Sequence, residues 1–120
     1  MIDHPTFDAS VFDLLQAELG VEDTIEVLKT FLADTGRKID ICAAGALDPA
    51  LLIREVHAIK SSAATFGFME LSSQARTIER NAAGTNAEEI RDSIAALRDI
   101  FGRTSSFAQS VLLTREVETA

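Results

Sequence analysis

Helix-breaking residues are sparse in this 120-residue chain: prolines stand only at 5 and 49, and glycines at 20, 36, 45, 67, 84 and 102. The intervals hold mostly good helix formers, so the chain reads as helices joined by short turns. A first segment, Asp8 to Leu19, opens on a capping-type aspartate, carries Val11, Leu14, Leu15 and Leu19, and stops at Gly20. From Glu22 to about Ala44, Ile25, Leu28, Leu32, Thr35, Ile39 and Cys42 recur at steps of three and four, one continuous stripe that Gly36 weakens locally.

A third segment begins at Asp48-Pro49, proline being suited to a first helical turn, and sets Leu52, Val56, Ile59, Ala63 and Phe66 in register before Gly67. A fourth, Phe68 to Ala83, places Phe68, Leu71, Ala75, Ile78 and Ala82 on one face. The fifth opens on Asn86 with Glu89 three residues on, then carries Ile90, Ile94, Leu97 and Phe101. Its pattern continues through Ala108 and Val111, while Gly102 and Thr104-Ser105-Ser106 favour a break equally. The segment holding Phe107, Val111, Leu112 and Leu113 is open to docking on the bundle, pairing two chains or leading to a linker. The expected fold is all-α: an antiparallel four-helix bundle with a short extra N-terminal helix. One domain spans 1–120, with frayed ends at 1–7 and about 115–120.

The charge balance is 11 − 19 = −8, which disfavours nucleic acid or an anionic membrane surface as partner. A basic partner patch, or a metal-bearing acidic one met through a local basic spot, stays open. A single cysteine, Cys42, excludes an internal disulfide. With no secretory start and no apolar run of membrane-spanning length, the expected location is cytoplasmic.

Two histidines are present. His4, beside Pro5, receives no role. His57 falls roughly 150° from the apolar stripe of the third segment, at about 100° per residue, and is expected to be exposed. A lone surface histidine is usually ordinary, but around this one lie Ala50, Ile53, Arg54, Lys60, Ser61 and Ala64, small, apolar and basic rather than generically charged. If the third and fourth helices are antiparallel about Gly67, His57 is level with Thr77 and Ile78, which brings Arg76, Glu79 and Arg80 to its height. Glu79 would then fix the ring tautomer if its flank faces His57, which the sequence leaves open. Arg54, Lys60, Arg76 and Arg80 give the neighbourhood four cations, suited to a phosphoryl group. Metal binding and hydrolase chemistry are weak readings, since His4, His57 and Cys42 lack ligand spacing and no nucleophile elbow surrounds Ser61 and Ser62.

The stretch Val56-His57-Ala58-Ile59-Lys60-Ser61-Ser62-Ala63-Ala64-Thr65-Phe66-Gly67-Phe68, followed by Leu71 and Ile78-Glu79, resembles the histidine phosphotransfer (HPt) domain of bacterial two-component phosphorelays. The resemblance implies that His57 is the phosphoacceptor, that Lys60 steadies phosphoryl oxygens and that Gly67 makes the hairpin turn. It also implies partners: a response-regulator receiver domain, which supplies Mg²⁺, and a histidine kinase catalytic domain. No cofactor is expected in this chain, and with no nucleotide-binding motif it carries phosphate rather than acting as an autonomous kinase. Partner contacts are expected at Ile53, Arg54, Ser61, Ala64, Phe68 and Arg76. Ser61 stands where the family commonly has glycine, which narrows the choice of partner. Thr65-Phe66-Gly67-Phe68 is also similar to the amino-terminal phosphotransfer domain of chemotaxis histidine kinases, where a glutamate matching Glu79 orients the histidine. A free-standing relay and a domain of a kinase both fit. The competing reading is an HPt-like module that docks receiver domains without accepting phosphate.

Overall fold

The computed structural model describes residues 7–45, 48–84 and 86–114. Five α-helices follow in order: α1 (Ala9–Leu19), α2 (Val21–Ala43), α3 (Pro49–Phe66), α4 (Met69–Asn81) and α5 (Ala87–Phe107), the last running on into a π-helical turn at Ala108–Leu112. Three starts carry side-chain caps, those at Asp8 and Asn86 as the sequence predicts and that at Asp48 just before the predicted first-turn Pro49. The carboxylates of Asp8 and Asp48 accept the Ser10 and Leu51 N–H groups at 3.0 and 2.9 Å, and the Asn86 side-chain oxygen accepts that of Glu89 at 2.8 Å.

Each of α2 to α5 packs on the next, and α5 returns to α2, closing a four-helix ring with α1 laid against α2 and α3. Cross-helix pairs show the directions. His57 meets Glu79 and Lys60 meets Ser72 between α3 and α4. Between α4 and α5, Glu70 meets Arg103 and Gln74 meets Ser93. Numbers rise on one helix as they fall on the other, so these neighbours are antiparallel. The stripes predicted for α2, α3 and α4 are the buried faces, from Ile25 to Cys42, Leu52 to Phe66 and Phe68 to Ala82.

Gly36 of α2 has a packing reason: a Cβ there would come within 3.3 Å of the Phe101 ring, so its absence lets α2 and α5 approach. The face predicted for α1 is corrected, because Leu14 is 66 % exposed and Leu19 40 %, whereas Phe12 is fully buried. With α1 laid on α2 and α3 rather than joining the ring, one aromatic anchor replaces a long stripe. Helix α5 does not break at Gly102. It continues and buries Phe107, Ala108 and Leu112, with Val111 and Leu113 packed against the core, so this segment docks on its own bundle.

Of the ends expected to fray, 1–6 and 115–120 lie outside the described residues. Phe7 is held, forming an isolated β-bridge with Phe68 and packing its ring 4.8 Å from that of Phe107. Both events hinge on Gly67. It caps α3 in the left-handed conformation at φ 87°, and its carbonyl accepts the Asp8 N–H at 2.8 Å. A Cβ would fall 2.5 Å from the Asp8 carbonyl oxygen. Gly67→Ala therefore carries a left-handed penalty of about 1–2 kcal/mol plus a backbone clash, and its Tm should fall by at least about 4 °C. Gly102→Ala, in open space within α5, should raise the Tm by about 2–4 °C; thermal unfolding by circular dichroism reads both.

Candidate functional site

Helix α3 turns its buried stripe inward and leaves His57 outside, with its side chain 58 % exposed. Helix α4, reversed about Gly67, brings Glu79 alongside. Its Oε2 lies 2.5 Å from His57 Nδ1, and its Oε1 accepts from Lys60 Nζ at 2.7 Å. One carboxylate thus joins an imidazole and an ammonium from successive turns of α3, and the flank left open by the sequence faces His57.

Those contacts hold the Glu79 carboxyl below the ordinary glutamate value of 4.5. The Lys60 hydrogen bond is the largest cause, the His57 hydrogen bond is next, and partial burial opposes both. An ionised carboxylate only accepts hydrogen bonds, so the short contact places the imidazole proton on Nδ1. The lone pair of a neutral ring then sits on Nε2, the nitrogen not engaged by Glu79. This is the arrangement of a nucleophilic imidazole with an oriented tautomer.

The structure exposes Arg54, Ser61, Arg76 and Arg80, and leaves Ala64 and Ile53 half-buried, Ile53 packing against the core. Among the described residues, Arg54, Arg76 and Arg80 form no ion pair. Other arginines are engaged, Arg98 with Asp40 and Arg103 with Glu70 and Asp99. Of the four cations the sequence sets around His57, three are thus unpaired among the described residues and Lys60 is held by Glu79. Phe68 is a correction to the predicted contact set. At 4 % exposure it lies in the core, its ring stacked near Phe31 and Phe66, because the β-bridge to Phe7 turns it inward from the α3–α4 corner. One residue escaped the sequence reading. Ser72 of α4 donates its hydroxyl to the Lys60 carbonyl at 2.9 Å, and nothing distinguishes it in sequence from a serine packed at a small-residue position.

His4 lies outside the described residues. Cys42 is buried, and burial first, then Glu55, raises its thiol pKa. No group of three or more His, Cys, Asp or Glu that could hold a metal occurs among the described residues. No helix among them is long and apolar enough to cross a membrane.

Because folding lowers the Glu79 pKa, its stabilising contribution is complete above the unfolded value near 4.5 and is lost as the pH falls below it, through the folded value. The difference in Tm between the unaltered chain and Glu79→Gln should therefore shrink steadily on acidification below about pH 4.5. A difference constant down to pH 3 would show that the carboxylate has no such role.

A model of the Hpt domain matches residues 21–101, more than half of the chain. No curated protein and no solved structure gives a match. The matched span runs from the start of α2 to near the end of α5 and contains the whole of His57, Lys60, Glu79 and the Gly67 hairpin, so this chain belongs to the Hpt domain family, whose role is histidine phosphotransfer in two-component signalling.

Proposed function

We propose that this chain relays a phosphoryl group through Nε2 of His57. Donor and acceptor are a histidine kinase catalytic domain or phosphorylated receiver domain on one side and a receiver aspartate on the other. The observation that carries this reading is the Nδ1 contact to Glu79, which leaves an exposed lone pair on the opposite nitrogen. In the forward step that lone pair attacks phosphorus, the Nε2–P bond forms, and the donor P–O bond breaks. The leaving group is the aspartate carboxylate of a receiver or the ADP of a kinase domain. The positive charge that develops on the ring is balanced by Glu79, which keeps its hydrogen bond to Nδ1 throughout. In the return step a receiver aspartate takes the group, and the imidazole regains its neutral form.

Lys60 lends a positive charge beside the transferred group while one of its three donors is held by Glu79. Ile53, Arg54, Ala64 and Arg76 belong to the proposed docking rim, where unpaired arginines favour an acidic partner face. A receiver brings its Mg²⁺ and aspartate to the reaction, so the electrophilic assistance comes from the partner and this chain acts as carrier rather than as an autonomous enzyme. The cytoplasmic setting of such relays completes the proposal.

The test is transfer of ³²P from a panel of kinase catalytic domains and phosphorylated receiver domains to this chain and to His57→Gln. Acid-labile, base-stable label is expected on the unaltered chain and absent from the variant. If no donor labels the chain while receiver binding survives in both proteins, the docking module replaces the relay. Lys60→Ala should slow transfer at least about tenfold, the effect of losing a hydrogen bond to a charged group, with helicity unchanged because the side chain is at the surface. An unaltered rate would remove Lys60 from the mechanism.

A further inference from the structure

Ser61 lies one turn beyond His57 on α3, and residues four apart on a helix are neighbours, with Cβ atoms about 5–6 Å apart. Helical side chains lean toward the N-terminus, so that of Ser61 leans back toward the imidazole turn. The residue is exposed. Thr65 Oγ1 donates to its backbone carbonyl at 3.0 Å, and among the described residues its hydroxyl has no partner.

Two neighbouring groups are tied to Glu79 on the α4 side of the ring. Nδ1 is held by one oxygen of Glu79, and Lys60 is anchored to the other. A phosphoryl group on Nε2 brings three acceptor oxygens to the side of the ring away from Glu79. One turn along α3, the hydroxyl of Ser61 is a donor without a partner among the described residues. We infer that the Ser61 hydroxyl donates a hydrogen bond to a phosphoryl oxygen carried on His57 Nε2, an inference that rests on the relay reading. It gives Ser61 a part in setting how firmly the chain holds its phosphate, separate from any effect of side-chain size on partner fit.

The two effects are separable by thermodynamics. In exchange between a phosphorylated receiver and this chain, the acyl phosphate P–O bond breaks, the aspartate carboxylate is released and the N–P bond forms. The equilibrium constant between the free proteins contains no docking affinity, because affinity changes forward and reverse rates together. A hydroxyl that touches the phosphoryl group changes this constant, whereas one that only shapes the docking face does not.

The experiment mixes the chain with an accepting receiver domain, loaded from acetyl phosphate and freed of excess reagent, and measures both phosphorylated species at equilibrium. Ser61→Ala and Ser61→Gly should each shift the constant toward the phospho-receiver by about two- to tenfold, the worth of one ordinary hydrogen bond. They should do so by similar factors, since both lack the donor although they differ in size. Rates that change while the constant stays at its unaltered value would overturn the inference and leave Ser61 a determinant of fit. Failure of the unaltered chain to take up label from any donor would defeat the relay reading and this inference with it.

Discussion

The left-handed turn at Gly67 is the constraint on which both ends of this structure depend. Only two residues separate α3 from α4, so the register of the hairpin is set almost wholly by the geometry of this corner. His57 stands ten residues before Gly67 and Glu79 twelve after it, and the antiparallel return places them within a hydrogen bond of each other. Ser72 pins the same two helices part-way along, at the Lys60 carbonyl. The corner also receives the N-terminal segment, which is why a side chain at position 67 has neither the backbone conformation nor the room it needs. Six of the seven phenylalanines gather around it, linked through ring contacts from Phe107 and Phe12 by way of Phe7 and Phe68 to Phe31 and Phe66. Such pairs add about 0.5–1.5 kcal/mol each beyond area burial. A stiff aromatic floor thus lies under a hairpin whose outer face carries the site.

That floor explains why α5 runs past Gly102. A helix ending there would leave Phe7 without Phe107 and leave the lower core open where Ala108 and Leu112 now fill it. A helical glycine costs about 1 kcal/mol against alanine, less than the burial of a phenylalanine and a leucine returns at about 1.5–3 kcal/mol each. Bidentate pairing of Arg103 with Glu70 ties the extension to α4 as well.

The same comparison of local and tertiary terms shows what the sequence could disclose. Stripes on α2, α3 and α4 were legible because each helix buries one face against several neighbours, so the 3.6-residue period is written out in full. Helix α1 was not, because it lies outside the ring, against α2 and α3, and buries Phe12 while Leu14 and Leu19 stay in solvent. Exposure of His57 followed from its angle to the stripe, and the height of Glu79 followed from counting across the turn. The facing of Glu79 did not, because the rotation of one helix against its neighbour is a packing outcome. Phe68 was misplaced for a related reason: an apolar residue after a glycine looks available to a partner until the bridge to Phe7 is known. No local signal marked Ser72, since a side chain to backbone bond across two helices depends on their separation.

The exposed position of His57 has an electrostatic consequence. With its side chain 58 % exposed, the imidazole sits in a solvent-screened surround, where the attraction between charges is weak. Before a partner arrives, Glu79 therefore adds little to the reactivity of the ring beyond fixing its tautomer. A partner that covers the ring expels water, and the same attraction strengthens as the local dielectric falls. The ring gains positive charge during attack on phosphorus, so the stronger field acts on the transition state more than on the neutral ground state. On the proposed relay, docking and activation are then one event. On that reading, a surface histidine with a half-buried carboxylate behind it is weakly activated while free and becomes reactive where a matching face excludes solvent.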